Sequence, residues 1–253
     1  MPPSKSSEIL FWHGRYQRQA EWTKSLRYHL YRRVSLCQAR NILDLGCGTG
    51  VIAHEVFLRT GAEVWGLDRE PETLKFAQCQ NGRDVHWILG RAEDLPFAAG
   101  SFDLILTHYF WMWLRQPGSV IRECLRTLRR GGYLVALAEP DYSQRQDEPA
   151  ELGAICQMLA KDLRDRGADP LAGAKIAQHF RRAELETETG AMSQGWGPEE
   201  HRREFRHQWA YVEEVLRGCK CLRSMKKMER TAIGRKERRS VMPIHWAVGR
   251  KRG

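Results

Sequence analysis

Ile42-Leu43-Asp44-Leu45-Gly46-Cys47-Gly48-Thr49-Gly50 reads as a strand that runs into three alternate glycines, with Val51–Arg59 continuing as a helix. Glycine serves where backbone must turn sharply and approach a ligand with no Cβ between them. The helix start behind it offers unpaired N–H groups to a polar or anionic ligand. The spacing is not that of a dinucleotide fingerprint, whose third glycine lies one residue further on, and no Gly-Lys-Ser/Thr follows to make a P-loop. Asp68 closes the next expected strand, 24 residues after Asp44, where a carboxylate can accept both hydroxyls of a ribose. Turn glycines and capping acids are the plainer reading of these residues. The triplet, the acid before it and the acid on the second strand together favour a ribose-bearing ligand.

Outward from this loop, short apolar runs alternate with helical patterns, the signature of a parallel sheet wrapped by helices. Asn41–Leu45, Glu63–Leu67, Val85–Leu89 and Phe102–Thr107 read as strands one to four. Pro71–Gln80 reads as a helix with proline in its first turn, and Val120–Leu128 as an amphipathic one. Gly131-Gly132 then turns the chain into strand five, Tyr133–Leu137. Beyond it the alternation stops. Pro149–Arg166, Leu171–Ala183 and Pro198–Leu216 look helical, Leu185–Met192 is a candidate sixth strand, and Val241–Val248 a last one. Residues 8–38, rich in Trp, Tyr and Arg, form a helical preamble outside the sheet. The expectation is a helical cover (1–40), an α/β core (41–139), a helical cap containing strand six (140–240) and a final strand with tail (241–253).

Composition agrees with a globular chain: 253 residues, 42% hydrophobic and 28% charged. No apolar run approaches the ~18 residues of a membrane helix, and Met1–Leu10 lacks the apolar centre of a secretory signal. The seven cysteines stand singly except Cys219-x-Cys221, so no zinc spacing arises and no metal site is expected. An odd number of thiols suits a reducing, cytoplasmic compartment. The net charge of +10 is concentrated between Arg217 and Arg239, where ten Lys or Arg face only Glu229 and Glu237. Leu222, Met225, Met228 and Ala232 recur there at helical steps, which predicts an amphipathic helix through Lys220–Arg239 packed by that stripe. An RNA-binding face is the alternative.

Asp44-Leu45-Gly46-Cys47-Gly48-Thr49-Gly50 resembles motif I of the class I S-adenosylmethionine-dependent methyltransferases, and Gly66-Leu67-Asp68 is similar to their second motif. Gly90-Arg91-Ala92-Glu93-Asp94-Leu95-Pro96-Phe97 with Ser101-Phe102-Asp103 resembles the third and fourth. Leu128-Arg129-Arg130-Gly131-Gly132-Tyr133 resembles the approach to strand five, with Arg130 where the family usually has proline. The resemblance implies a Rossmann-like, seven-stranded, mostly parallel sheet with an antiparallel last strand, and S-adenosyl-L-methionine as cofactor. It implies that Gly46, Gly48 and Gly50 meet the methionine and ribose, with Cys47 among them. Asp44 would order the loop and reach the amino group, and Asp68 would accept the ribose hydroxyls. Ala92 and Glu93 would edge the adenine, with Arg69 and Thr107 nearby. Many relatives carry aspartate where this chain has Arg91.

Methyl transfer from a sulfonium is an in-line displacement in which the protein chiefly aligns the reactants. Candidate catalytic groups follow strands four and five, where ligands bind in open α/β sheets: His108, Glu139, Asp141 and Tyr142. Asp141 also reads as a turn residue after Pro140. Tyr16, Tyr109, Trp111 and Trp113 are candidate walls for a flat apolar substrate. Arg15 or Arg27 is a candidate partner for the cofactor carboxylate. A small-molecule methyltransferase is the leading expectation. An RNA methyltransferase and a non-catalytic scaffold of the same fold are its rivals.

Overall fold

The computed structural model describes residues 5–252. The sheet's strands are β1 (Asn41–Leu45), β2 (Glu63–Asp68), β3 (His86–Leu89), β4 (Phe102–Thr107), β5 (Leu128–Pro140), β6 (Gln146–Glu148), β7 (Glu186–Trp196) and β8 (Arg239–Arg250). The first five lie parallel in the order β3-β2-β1-β4-β5, and β8 runs antiparallel beside β5. Ile244, His245 and Ala247 to Arg250 of β8 pair with both β5 and β7, which therefore occupy its opposite edges. Ser240 and Val241 likewise pair with both β6 and β7, so β6 extends the β5 column. The expected seven columns are present, with a three-residue strand added to one of them.

Both faces of this sheet are covered, so its strands read as apolar runs in which neighbours point to opposite sides. Leu43, Leu45, Ile105, Leu134 and Ala136 face one core, beneath α5 (Pro117–Thr127) and α7 (Ala172–Arg182). Ile42, Leu104, Leu106, Val135 and Leu137 face the other, where α2 (Lys24–Arg33) and α3 (Val51–Thr60) pack. The preamble is thus part of the core: α2 contributes Leu26, Leu30 and Tyr31. Asp103 pins the start of β1, accepting from the Arg40 and Asn41 N–H groups (2.9 Å each) and from Arg129 (2.6 Å). These donors hold its carboxyl below the ordinary range against the opposing effect of burial.

A third core lies in the cap. Leu152, α6 (Gly153–Asp165), α8 (Pro198–Val215) and α9 (Leu222–Gly234) enclose Ile155, Leu159, Trp209, Val212, Leu222 and Met225. Phe11 and Trp12 of α1 (Lys5–Trp22) pack against it, so α1 joins the cap to the sheet. The basic segment differs from expectation. Its helix ends at Gly234, Arg239 already belongs to β8, and Met228 is 39% exposed, not packed. Glu229 takes its place in the interior, accepting from Arg238 Nε (2.7 Å) and the Trp209 indole (2.5 Å).

Candidate functional site

The glycine loop crosses the end of β2. Gly46 N and Cys47 N donate to Leu67 O (2.8 and 3.1 Å), and Gly48 N donates to Asp68 Oδ2 (2.8 Å). Asp68 Oδ1 accepts from Glu70 N (3.0 Å), ahead of α4 (Pro71–Asn81). Gly46 and Gly48 have φ of +76° and +53°, the left-handed region that favours glycine. A Cβ on Gly46 would fall 2.3 Å from the Phe110 ring, so the glycine also admits that ring to the loop.

α1 closes over the same loop. His13 Nδ1 lies 2.9 Å from Thr49 Oγ1, and the Tyr16 ring stands 3.4 Å from where a Gly48 Cβ would be. Burial, with the Asp68 charge behind it, pushes the Tyr16 hydroxyl up to about 12.

These pieces surround a cavity of about 300 Å³. Asp44, Gly46, Cys47, Gly48, Asp68 and Arg69 line one side, and Ala92 and Glu93 line another. Tyr16, His108, Tyr109 and Trp113 complete the candidate residues that reach it. Asp44 is the singular group. It is 2% exposed, its Oδ2 has no hydrogen-bond partner, and burial raises its carboxyl to about 7, opposed by the Ala53 N–H and reinforced by the Asp68 and Glu55 charges. Burial likewise raises the Cys47 thiol well above its ordinary value. Arg91 turns toward Glu93, 3.6 Å away.

Several candidates lie elsewhere. Trp111 is core: it packs on Phe180, and its indole donates to Thr107 Oγ1 (2.8 Å), which buries Thr107 as well. Gly50 begins α3 with its open side against the Trp87 ring, away from the cavity. Glu139 is fully buried and braces the turn after β4, accepting from Phe110 N (2.9 Å). Desolvation raises it to about 8, offset in part by N–H groups of Phe110, Trp111 and Met112. Asp141 caps its own turn through Ser143 N (2.9 Å) and Gln144 Nε2 (2.7 Å). Tyr142 lines a second, smaller cavity under the cap. Neither preamble arginine reaches the larger cavity. Arg27 pairs with Glu55 (2.5 Å), and Arg15 lies against Trp22 and Tyr211.

His108 Nε2 is 2.9 Å from Thr23 Oγ1. That hydroxyl also lies 2.8 Å from Gln19 O and accepts from Arg27 Nη1 (2.8 Å), so Nε2 is engaged on the α1–α2 side. Burial and the Arg27 charge hold this histidine neutral, well below its ordinary value. Sequence reading missed Phe110 as the residue seated on Gly46. It also missed Tyr109 in the left-handed region, at φ +53°.

A glycine loop and an acid-tipped second strand, at the C-terminal edge of a parallel sheet whose last strand is antiparallel, define a nucleoside-cofactor transferase class. Residues 43–136 match the family described as "Methyltransferase domain". The chain is 32% identical over 172 residues to the ubiquinone biosynthesis O-methyltransferase of Xanthomonas oryzae, covering 65% of this chain and 70% of that protein. It is 33% identical over 125 residues to the malonyl-[acyl-carrier protein] O-methyltransferase of Legionella pneumophila, 47% of this chain and 44% of that one. Of two other curated relatives it spans 56% and 18% of the length. The fold matches that of Haemonchus contortus phosphoethanolamine N-methyltransferase 2 in complex with S-adenosyl-L-methionine. There the TM-score is 0.58 at 16% identity, over 85% of this chain and 49% of that one. The chain belongs to the class I S-adenosylmethionine-dependent methyltransferases. Among the described residues no helix is long and apolar enough to cross a membrane, and no cluster of metal-ligating side chains occurs.

Proposed function

We propose that this protein transfers a methyl group from S-adenosyl-L-methionine to a small aromatic or apolar acceptor, in the cytoplasm. One observation carries the reading: the buried, unpartnered Oδ2 of Asp44 in the wall of a cavity that also holds the glycine loop and Asp68. A buried carboxyl oxygen with no donor is costly unless a cationic or N–H-bearing group completes it. The methionine ammonium of the cofactor is such a group. Asp68 accepts one loop N–H on each oxygen and retains lone pairs for ribose hydroxyls. Ala92 and Glu93 would border the adenine, and Tyr16 would cover the cofactor from α1.

Held by Asp44, the glycine loop and Asp68, the cofactor would supply a methyl group activated by its sulfonium for direct transfer to the acceptor. The chain's part is alignment and exclusion of water. Neutral His108, with Nε2 engaged by Thr23, has its other ring nitrogen to hydrogen-bond and orient an acceptor. Its suppressed basicity makes it an orienting group more than a proton store. Paired cations support a small acceptor over RNA: Lys226 binds Glu213 (2.7 Å), Arg217 binds Glu214 (2.6 Å), and Arg238 is internal. The described cysteines, all free thiols, support a reducing compartment.

Calorimetry with S-adenosylhomocysteine tests the reading. Wild type should bind one equivalent, and Gly48→Val, which forces a branched residue to φ +53°, should lose at least tenfold in affinity. Equal affinity in the two proteins would remove the glycine loop from the site.

A further inference from the structure

We propose that the second cavity, under the cap, is the acceptor site, and that Arg15 selects there a one-ring aromatic carboxylic acid. The proposal rests on the methyltransferase reading for its purpose, though not for its geometry. The cavity measures about 90 Å³ and lies between α1, the turn after β5, α6 and α8. A water needs about 10–15 Å³ of such space. The cavity therefore holds on the order of six to nine waters, close to the bulk of one substituted ring. Trp22, Tyr142, Trp196 and Tyr211 supply aromatic walls.

Three arginines line this cavity, and two are neutralised. Arg145 pairs with Asp147 (2.9 Å), and Arg238 with Asp147 (2.8 Å) and Glu229 (2.7 Å). Arg15 is different. Among the described residues no carboxylate lies within ion-pair distance of it, and its hydrogen bond runs from Nη1 to the neutral Gln208 Oε1 (3.1 Å). Its Nε is buried without a partner. The guanidinium carbon stands 4.7 Å from the Trp22 ring centre and 4.1 Å from that of Tyr211. Cation–π contact steadies the charge but leaves the in-plane Nε–H unsatisfied.

In a planar guanidinium the edge bearing Nε–H also presents one N–H of Nη2, since Nη1 lies on the side of Cδ. That edge has the two-pronged geometry that a carboxylate matches. With rings beside the guanidinium, a planar anion entering edge-on fits better than a tetrahedral one. The two cavities flank the same stretch of α1: Arg15 lines this one and the next residue, Tyr16, lines the larger one. The Trp12 ring bridges them, with its centre 6.3 Å from that of Tyr16 and 6.1 Å from that of Tyr211. A ring anchored by its carboxylate at Arg15 would lie along this stretch, with its far edge free to face the cofactor cavity.

The experiment is calorimetric titration of benzoate and of its neutral isostere benzamide into protein saturated with S-adenosylhomocysteine. Wild type should prefer benzoate at least tenfold. Arg15→Gln should erase that preference while S-adenosylhomocysteine affinity stays within twofold, because Arg15 does not line the cofactor cavity. Equal binding of the two probes, no binding of benzoate, or full displacement of benzoate by equimolar inorganic phosphate would overturn the proposal. If Arg15→Gln does not fold, the benzoate-to-benzamide ratio in wild type decides alone. Loss of S-adenosylhomocysteine binding in wild type with the benzoate preference intact would instead defeat the methyltransferase reading and leave an anion site behind.

Discussion

Each oxygen of Asp68 accepts one backbone N–H, from Gly48 and Glu70, so this side chain shapes the loop before it meets any ligand. Asp68→Ala should therefore weaken S-adenosylhomocysteine binding by about 1–3 kcal/mol, through lost charge-assisted hydrogen bonds and a loosened Gly48. Its position at a strand end leaves the core untouched, so the thermal midpoint should move little. Calorimetry beside a melting curve separates the two effects, and a variant that binds normally would reduce Asp68 to a turn residue. Asp44, Gly46, Gly48 and Asp68 were legible in the sequence because their relations are local: a strand end, a tight turn and a helix start. The run His108-Tyr109-Phe110-Trp111-Met112-Trp113 was not. After β4 the chain takes Tyr109 through φ +53° and then makes a short 3-10 turn at Trp111–Trp113, so neither a twofold nor a 3.6-residue period applies. Trp111 consequently entered the core and Trp113 the cavity, which no spacing argument distinguishes.

At the level of elements, α9 illustrates how an apolar pattern can name the right face and the wrong residue. Leu222, Met225, Glu229 and Ile233 form its buried line, in steps of three and four. Met228 sits one position before Glu229 and is rotated about 100° off that line. Hydrophobicity favoured the methionine; the distant Arg238 and Trp209, which satisfy the acid, were invisible to local reading. Reversing charge at Arg223, Lys227 and Arg230, all exposed, should leave folding and S-adenosylhomocysteine affinity nearly intact. The largest loss should be the Arg230 contact over Phe205, 5.4 Å from its ring centre and worth about 0.5–1 kcal/mol at an exposed site. Leu222→Asp should cost about 3 kcal/mol or more, since it removes core volume and buries an unpaired carboxylate. Urea melts of both variants check this, and tight RNA binding lost on charge reversal would revive the nucleic-acid reading.

Over the whole molecule, the parallel sheet wrapped by helices followed from alternation and the closing antiparallel strand from family resemblance, while the order β3-β2-β1-β4-β5 is a finding of the structure. The cap's partnership with α1 depends on contacts between residues nearly 200 positions apart, such as Arg15 with Gln208 and Arg18 with Glu204. Buried ionisable groups couple this assembly to pH. Asp44 rises from 3.8 to about 7 and Glu139 from 4.5 to about 8, so the folded protein keeps protons that the unfolded chain has released. Stability from these two is present at low pH and lost as pH rises toward 7 and 8. His108 and His201 act in the opposite sense: burial lowers both, His201 to about 3, so their contribution fails as pH falls below 6.5. Between about pH 4 and 6.5 the pairs oppose each other. Above 6.5 the histidines are neutral in both states and the carboxyls act alone. The melting midpoint of the ligand-free protein should therefore decline from pH 6.5 to 8, with a slope of up to about 1.4 kcal/mol per unit for each group. Glu139→Gln and Asp44→Asn should each flatten part of that decline. Saturating S-adenosylhomocysteine should flatten the Asp44 part as well, because an ammonium beside that carboxylate favours its ionised form, and at a hundred times Kd it should add about 2.7 kcal/mol. A midpoint that rises steadily from pH 6.5 to 8 in wild type would show that these carboxyls are ionised in the folded state and that the Asp44 oxygen already has its partner.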